Sequence, residues 1–414
     1  MFSRKAKRLH LENVSLEKLA EIYGTPSFIY SESKIIENFL EIKNAFSSNP
    51  VEICFSVKSN SNLAILQVLA NQGAGFDIVS GGELARVLKA GGDPKKIVFS
   101  GVGKQKWEIL EALKANILCF NVESSSELKK ISSLCQEYGY IAPISFRVNP
   151  DIDPKTHPYI STGLKENKFG IPINIAMELC NDAHQDSNLR IVGLDCHIGS
   201  QITEIEPFLS ALQILIDLVG VLSKKGITLS HIDIGGGIGI RYKNESVIKW
   251  NTFAKKISTL MRNTSQQLIL EPGRSIVGDA GLLLTRVDLL KKNGGKNFAV
   301  VDAAMNDLLR PALYQSWHEV IAIREDENEN KAEWEIVGPI CETGDFLAKG
   351  RLLALNEGDL VAILDCGAYG FCMSSNYNSR PRAAEILVTK NKHLCIRKRE
   401  QVSDLFHLET LKPS

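Results

Sequence analysis

The chain has 414 residues, 44% of them hydrophobic and 23% charged, with 48 lysines and arginines against 48 aspartates and glutamates. That length exceeds what one hydrophobic core usually supports, so two domains are expected. A formal net charge of zero, with no basic stripe interleaved with aromatics, argues against nucleic acid as a partner.

The first residues are basic but lack the apolar core of a signal peptide. No stretch reaches the ~18 apolar residues of a membrane span. A cytoplasmic protein with no membrane partner is therefore expected. Nine cysteines, an odd number with no C-x-x-C pair, indicate neither a disulfide framework nor a zinc site, and no metal is expected. "TPSFIY" (25–30) precedes Ser31 and Ser33, two candidate helix caps.

After residue 50 short apolar runs alternate with segments of helical period. The strand-like runs are "EICFSV" (52–57), "FDIV" (76–79), "KIVFS" (96–100), "ILCFN" (117–121), "PISFRV" (143–148), "IVGLDC" (191–196), "HIDIG" (231–235) and "LILEP" (268–272). Between them "SNLAILQVLANQG", "SGGELARVLKAGG", "ESSSELKKISSLCQEYG" and "EPFLSALQILIDLVGVLSKKG" place apolar residues at helical spacing. The first of these ends on Gly73, a candidate C-cap. This alternation predicts an α/β fold, a (β/α)8 TIM-type barrel over residues 32–281.

A doubly wound open sheet would alternate in the same way. The strand ends favour the barrel: Lys58, Asp77 with Ser80, Ser100-Gly101, Asn121, Arg147 with Asn149, His197, Gly235 to Gly237, and Glu271. In a barrel such ends converge on one face, whereas an open sheet spreads them along an edge. From about residue 282 the pattern turns to strands separated by turns, from "LLLTRVDLLKK" to "HLCIRKRE". A second, mainly β domain of barrel or sandwich type is expected over 282–414, with residues 1–31 pairing to it. "REDENENK" (324–331) reads as the cap of a solvated hairpin.

In "HIDIGGGIG" three glycines follow an apolar strand, so backbone N–H groups there can approach an anion closely. A tight turn without a ligand is the alternative. "LILEPGRSIVG" sets Glu271, Gly273 and Arg274 at the eighth strand end; alone, this is as readily a surface ion pair. "DCHIGSQI" places His197 and Ser200 at the sixth, where a lone histidine is more often structural. Lys58 alone is as readily a snorkelling surface lysine. Together they supply a phosphate cradle, a carboxylate, an imidazole and a lysine. That set fits pyridoxal phosphate held by Lys58 as a Schiff base, with Glu271 keeping the pyridine nitrogen protonated.

In the second domain "GPICETGD" sets Cys341 beside Glu342, although a buried inert thiol is the common fate of a cysteine. "LLRPALYQ" puts Arg310 and Tyr314 four apart, on one face if helical, suited to grip a carboxylate; a solvated helix edge is the alternative.

The chain resembles the diaminopimelate decarboxylases, in the fold-type III, alanine-racemase-like group of pyridoxal-phosphate enzymes. The resemblance spans roughly residues 20 to 400, through "FSVKSNSN", "FDIVSGGEL", "FSGVGK", "RVNP", "THPYISTGLKENKFG", "HIGSQI", "IGGGIG", "EPGRSIV", "LLRPALYQ", "GPICETGD" and "GAYG". It implies Lys58 as the Schiff-base lysine of pyridoxal 5'-phosphate, with His197 stacked on the ring. Ser200, Gly235, Gly236, Gly237, Gly273 and Arg274 would surround the phosphate, and Glu271 would pair with the ring nitrogen. Tyr369 would contact cofactor and substrate. Arg274, Arg310 and Tyr314 would bind the substrate's distal carboxylate, Glu342 would lie near its distal amine, and Cys341 would protonate the carbanion. The resemblance also implies a homodimer with active sites shared between subunits. The implied reaction is decarboxylation of meso-2,6-diaminopimelate at its D-centre to L-lysine, the last step of lysine biosynthesis. Thr343 stands where serine is common in this group, a conservative departure.

A related decarboxylase acting on ornithine, arginine or carboxynorspermidine would share the cofactor residues but not the grip on the distal end. Arg310 and "STGLKENKFG" speak against those substrates. A non-enzymatic binding protein of this fold would be expected to lose Lys58 or Cys341, and this chain keeps both.

Overall fold

The computed structural model describes residues 1–153, 168–324 and 330–413. Most of "THPYISTGLKENKFG", including all but Lys168 to Gly170 of the part weighed against rival substrates, and most of "REDENENK" lie outside the described residues. The chain divides into two compact units. One is Ile36–Arg241 with Glu245–Ile276; the other is Met1–Ile35 with Tyr242–Asn244 and Val277–Ser414.

The first unit is built on eight parallel strands in a closed ring, numbered here in chain order. They are β1 (Glu52–Ser56), β2 (Gly75–Ile78), β3 (Ile97–Phe99), β4 (Cys119–Val122), β5 (Ala142–Asn149), β6 (Leu189–Asp195), β7 (His231–Asp233) and β8 (Gln267–Leu270). The ring closes where Ile269 and Leu270 of β8 pair with Glu52 and Ile53 of β1. All eight predicted runs are strands, and a two-residue strand, Ile171–Pro172, extends the ring beside Asn149. Both faces of such a sheet are covered, so the strands read as near-continuous apolar runs. Ile97 to Phe99, for example, are fully buried.

The helices between strands start where their sequence supplies a cap. Ser80 accepts a hydrogen bond from the Glu83 N–H, and Ser124 accepts one from the Glu127 N–H. Each glutamate reaches back in turn, Glu83 to the Val79 N–H and Glu127 to the Glu123 N–H. Orphan donors of the first helical turn are satisfied by this reciprocal arrangement. The expectation of no apolar stretch near membrane-span length needs correction. Helix Glu206–Lys224, 19 residues, is long and apolar enough to cross a membrane by length and composition alone. Here it packs against β6, burying Phe208, Ala211, Leu212, Leu215 and Leu222, because a barrel's outer ring requires an apolar stripe.

The second unit carries a sheet in the order Phe346–Leu353, Ala332–Val337, Lys296–Val301, Gly281–Asn293, Ser27–Ser31, Ala384–Thr389, Lys392–Arg397. Ser27–Ser31 runs antiparallel to Gly281–Leu284 and parallel to Ala384–Val388, which ties the N-terminal segment into this sheet. Gly294 and Gly295, at φ +55° and +80°, form the two-residue turn joining Gly281–Asn293 to Lys296–Val301. A two-residue turn with φ positive at both central residues matches the twist of its strands, and glycine adopts that backbone without strain. Strands Val320–Ala322 and Phe346–Leu353 have no counterpart among the sequence-predicted runs. In Phe346–Leu353 the polar triplet Lys349-Gly350-Arg351 interrupts the apolar pattern, and Gly350 lies at φ +64°.

In the barrel unit, Lys104 is an internal tie. Its side chain is 1% exposed, and its ammonium donates to Gly101 O (2.8 Å), Asn121 O (2.7 Å) and Glu127 Oε1 (2.7 Å). Removing one partner of a buried pair strands the other charge. Lys104→Ala is expected to cost about 3–5 kcal/mol in urea unfolding. Adding Glu127→Ala should recover part of that loss, since the pair is coupled.

Candidate active site

Lys58 leaves the core on a short turn rather than at a strand end. β1 stops at Ser56, and Val57–Ser59 form one turn of 3-10 helix that presents the lysine at the barrel rim. Its Nζ lies 2.7 Å from Asp77 Oδ2, and Ser56 Oγ donates to the same oxygen at 2.7 Å. Asp77, at the end of β2, is fully buried. The lysine is therefore an ion-paired group at the rim, not a surface lysine.

The glycine triplet follows β7. Gly235 and Gly237 have φ of +68° and +102°. A Cβ on Gly236 would collide with the carbonyl of Glu271, and one on Gly237 with that of Gly199. The triplet is thus a close approach of three backbones, which a side chain would forbid. The Gly236 N–H donates to His197 Nδ1 at 3.2 Å. His197 is held neutral, well below the usual imidazole range, by burial and then by the charges of Lys58 and Arg147. Its Nδ1 is accordingly free of a proton and able to accept. Arg274, 7% exposed, donates from Nη2 to Ser200 Oγ at 3.2 Å. Gly273 is equally confined, since a Cβ there would lie 2.9 Å from Ser56 Cβ and Ser59 Oγ. Glycine backbone, a serine hydroxyl and a guanidinium are a donor set that fits a phosphate.

Inside the rim lies a group of carboxylates. Oxygens of Asp195, Asp233 and Glu271 are within 4.8 Å of one another, and all three residues are buried. Among the described residues, Asp195 Oδ1 and Asp233 Oδ2 find no hydrogen-bond partner. Burial first, then the charge of Asp77, pushes Asp233 up to about 7, against the pull of the Gly235 N–H on its Oδ1. Burial and then Asp233 raise Glu271 well above the carboxylate range. Arg147 supplies positive charge nearby, 3.0 Å from Glu123 Oε1 and 3.8 Å from Asp195 Oδ2. Three carboxylates so close cannot all ionise, so the cluster holds at least one proton. As a donor set it would also suit a hard cation, but the backbone N–H and the guanidinium already provide positive partners.

The remaining candidates belong to the second unit. Arg310 opens the five-residue helix Arg310–Tyr314, so Arg310 and Tyr314 share a face. Arg310 is 5% exposed and therefore no solvated helix edge, while Tyr314 is half-buried. Cys341 is exposed, whereas six of the nine cysteines are buried, and its N–H donates to Asn378 Oδ1 at 2.8 Å. Asp345 holds the base of that loop, accepting from the Ile340 N–H at 2.8 Å and the Met305 N–H at 2.6 Å. Cys341 and Glu342 stand exposed at its tip. Tyr369 is half-buried and adopts φ +55°.

Within the barrel unit the structure gathers Lys58, His197, Ser200, the triplet, Glu271, Gly273 and Arg274 along the ends of β1, β6, β7 and β8. The partners Asp77, Asp195 and Asp233 were not singled out as site residues from sequence. Their signal was present: single aspartates inside "FDIV", "GLDC" and "HIDIG", where an apolar core would admit none.

The family model described as "Pyridoxal-dependent decarboxylase, pyridoxal binding domain" matches residues 32–278. Over 412 residues the chain is 52% identical to the diaminopimelate decarboxylase of Pseudomonas aeruginosa, spanning 100% of this chain and 99% of that one. Among solved structures, diaminopimelate decarboxylase from Helicobacter pylori complexed with L-lysine superimposes with TM-score 0.92 at 46% identity, covering 95% of this chain and 98% of that one. The enzyme from M. jannaschii superimposes with TM-score 0.95 at 38% identity, covering 100% and 98%.

The carboxylate cluster makes stability depend on pH. Between about 4, the ordinary aspartate value, and about 7, folded Asp233 keeps a proton that the unfolded chain has released. Proton binding favours the folded state there, so stability falls as pH rises through that window, by about 1.4 kcal/mol per pH unit for one proton. In Asp233→Asn that contribution is absent. The difference between urea unfolding at about pH 5 and about pH 7 should shrink by about 2–3 kcal/mol. An unchanged difference would remove Asp233 as the proton's holder.

Proposed function

The chain belongs to the diaminopimelate decarboxylase family of pyridoxal-dependent decarboxylases, and on that premise we propose that it converts meso-2,6-diaminopimelate to L-lysine and CO2. It acts as a carboxy-lyase at the D-centre: the C–C bond to the carboxylate breaks, its electron pair stays on Cα, and a proton replaces CO2. The observation that carries this reading is the close approach of the glycine triplet to Glu271 beside Ser200, Arg274 and Lys58, a cradle that fits pyridoxal 5'-phosphate. When bound, the cofactor supplies an electron sink for the carbon that loses CO2.

In this reading Lys58 Nζ would hold the cofactor through its carbonyl carbon, and Asp77 keeps the ammonium at the rim. The triplet, Ser200, Gly273 and Arg274 would hold its phosphate. His197, neutral and oriented by the Gly236 N–H, would pack on its ring. Glu271, beside Asp233, would pair with its ring nitrogen. Arg310, Arg274 and Tyr314 bind the distal carboxylate, Glu342 the distal amine, and Tyr369 contacts both cofactor and substrate. Cys341 donates the proton to Cα. Its exposure, with that of Glu342, supports a homodimer in which these two residues serve the partner subunit's site.

Purified protein loaded with cofactor should release CO2 from meso-diaminopimelate and not from L-ornithine or L-arginine; the reverse order would overturn the substrate assignment. Arg310→Lys should lower kcat/KM for diaminopimelate about tenfold to a few hundredfold, because a lysine cannot reproduce two parallel bonds to a carboxylate. L-lysine, which keeps the distal carboxylate, should inhibit that variant less well, and pentane-1,5-diamine, which lacks it, should inhibit both proteins alike.

Cys341→Ala should fold and bind cofactor normally but turn over roughly 10²-fold more slowly, the usual scale for a lost general acid. Mixing it with inactive Lys58→Ala should restore activity, since one site of a mixed dimer holds both residues. No recovery after demonstrated subunit exchange would exclude shared sites.

A further inference from the structure

Arg310 is held by a histidine that the proposed reaction does not use. Its Nη1 lies 2.8 Å from His318 Nε2, and its guanidinium carbon sits 4.5 Å over the Tyr242 ring. His318 is fully buried, and its Nδ1 lies 2.8 Å from the carbonyl oxygen of Leu364. A carbonyl can only accept, so Nδ1 carries the ring proton. Nε2 is then a bare acceptor facing a guanidinium that can only donate, and both bonds are satisfied by one neutral tautomer. The ring is steadied further by Tyr242, edge-on at 5.3 Å, and its own backbone carbonyl accepts from Arg351 Nη2 at 2.9 Å.

We propose that His318 is the positioning residue for substrate specificity: a neutral acceptor, fixed in its tautomer by Leu364, that aims the Arg310 guanidinium at the distal carboxylate. The inference rests on the role proposed above for Arg310. Its physical content lies in the choice of partner. A carboxylate at this position would orient Nη1 equally well but would cancel the charge that the substrate needs. An imidazole locked as the Nδ1–H form orients the fork without adding an opposing charge of its own. The tautomer depends on a backbone carbonyl, so side-chain substitutions elsewhere leave it in place.

Two substitutions separate orientation from packing. In His318→Asn the amide nitrogen mimics Nδ1 and retains the bond to Leu364, but the acceptor for Arg310 is lost. In His318→Gln the amide oxygen mimics Nε2 and retains the bond to Arg310. With the cofactor-loaded enzyme, His318→Asn is expected to raise KM for meso-diaminopimelate about ten- to a hundredfold, with kcat within about twofold of the parent. His318→Gln should stay within about threefold of the parent in both parameters. Equal damage in both variants, or a fall in kcat at unchanged KM, would overturn the proposal. Nitrogen-15 NMR of the histidines in the parent holoenzyme reads the tautomer directly: for His318 a ring protonated at Nδ1 and bare at Nε2 is expected, and loss of that signal from His318→Gln assigns it. A His318 protonated at Nε2 overturns the assignment. Arg310→Lys, measured alongside, separates the two readings. If it raises KM and His318→Asn does not, His318 alone fails; if neither does, the role of Arg310 falls with it.

Discussion

The ion pair between Lys58 and Asp77 is the contact on which the barrel rim depends. Asp77 is fully buried, and a carboxyl group there is tolerable only with bonding partners, which Lys58 and Ser56 supply. The same problem recurs around the ring, because Glu123, Asp195, Asp233 and Glu271 are also buried. Arg147 answers for Glu123 and lies 3.8 Å from Asp195, while burial and mutual repulsion raise Asp195, Asp233 and Glu271 together, so the three hold a proton among them. A rim built this way is arranged around opposite charges that a ligand can complete. It is a costly construction for stability alone, and its cost is what marks the site.

The glycine triplet solves a different problem, one of space. Three chain segments, after β6, after β7 and after β8, pass so close that Cβ atoms on Gly236 and Gly237 would overlap carbonyl groups. That crowding brings backbone donors, Ser200 and Arg274 into one small region without needing long side chains. Geometry set by backbone is stiffer than geometry set by rotamers, which suits a phosphate that must be held while chemistry proceeds elsewhere on the same molecule.

The second unit treats its functional groups in two opposite ways. Arg310 is buried and braced by an aromatic face and a histidine, so its direction is decided before any ligand arrives. Cys341 and Glu342 are exposed at the tip of a loop whose base is clamped by Asp345. Recognition of a fixed carboxylate gains from preorganisation. Cys341 and Glu342 instead project from a loop whose base is fixed, so they stand clear of their own unit's packing.

Much of this was legible in the sequence because it is local. Apolar runs of four to six residues alternating with helical period define the eight strands, and S-x-x-E at Ser80 and Ser124 starts two of the helices, since those signals lie within one turn of chain. Residues just past the strands, such as Lys58, His197 and Glu271, could be read together as one rim, because parallel barrel strands deliver their C-termini to one face. What sequence could not decide is contact between distant residues. The pairing of Asp77 with Lys58, the proton shared among Asp195, Asp233 and Glu271, the tautomer of His318, and the exposure of Cys341 all depend on atoms brought together from separate elements. Strand Phe346–Leu353 escaped notice for the same reason: its pattern is broken by Lys349-Gly350-Arg351, and only pairing with Ala332–Val337 makes it a strand. Burial and partnership are properties of the packed chain, and charge states follow from them; the linear sequence carries the groups, and tertiary structure decides what each one faces.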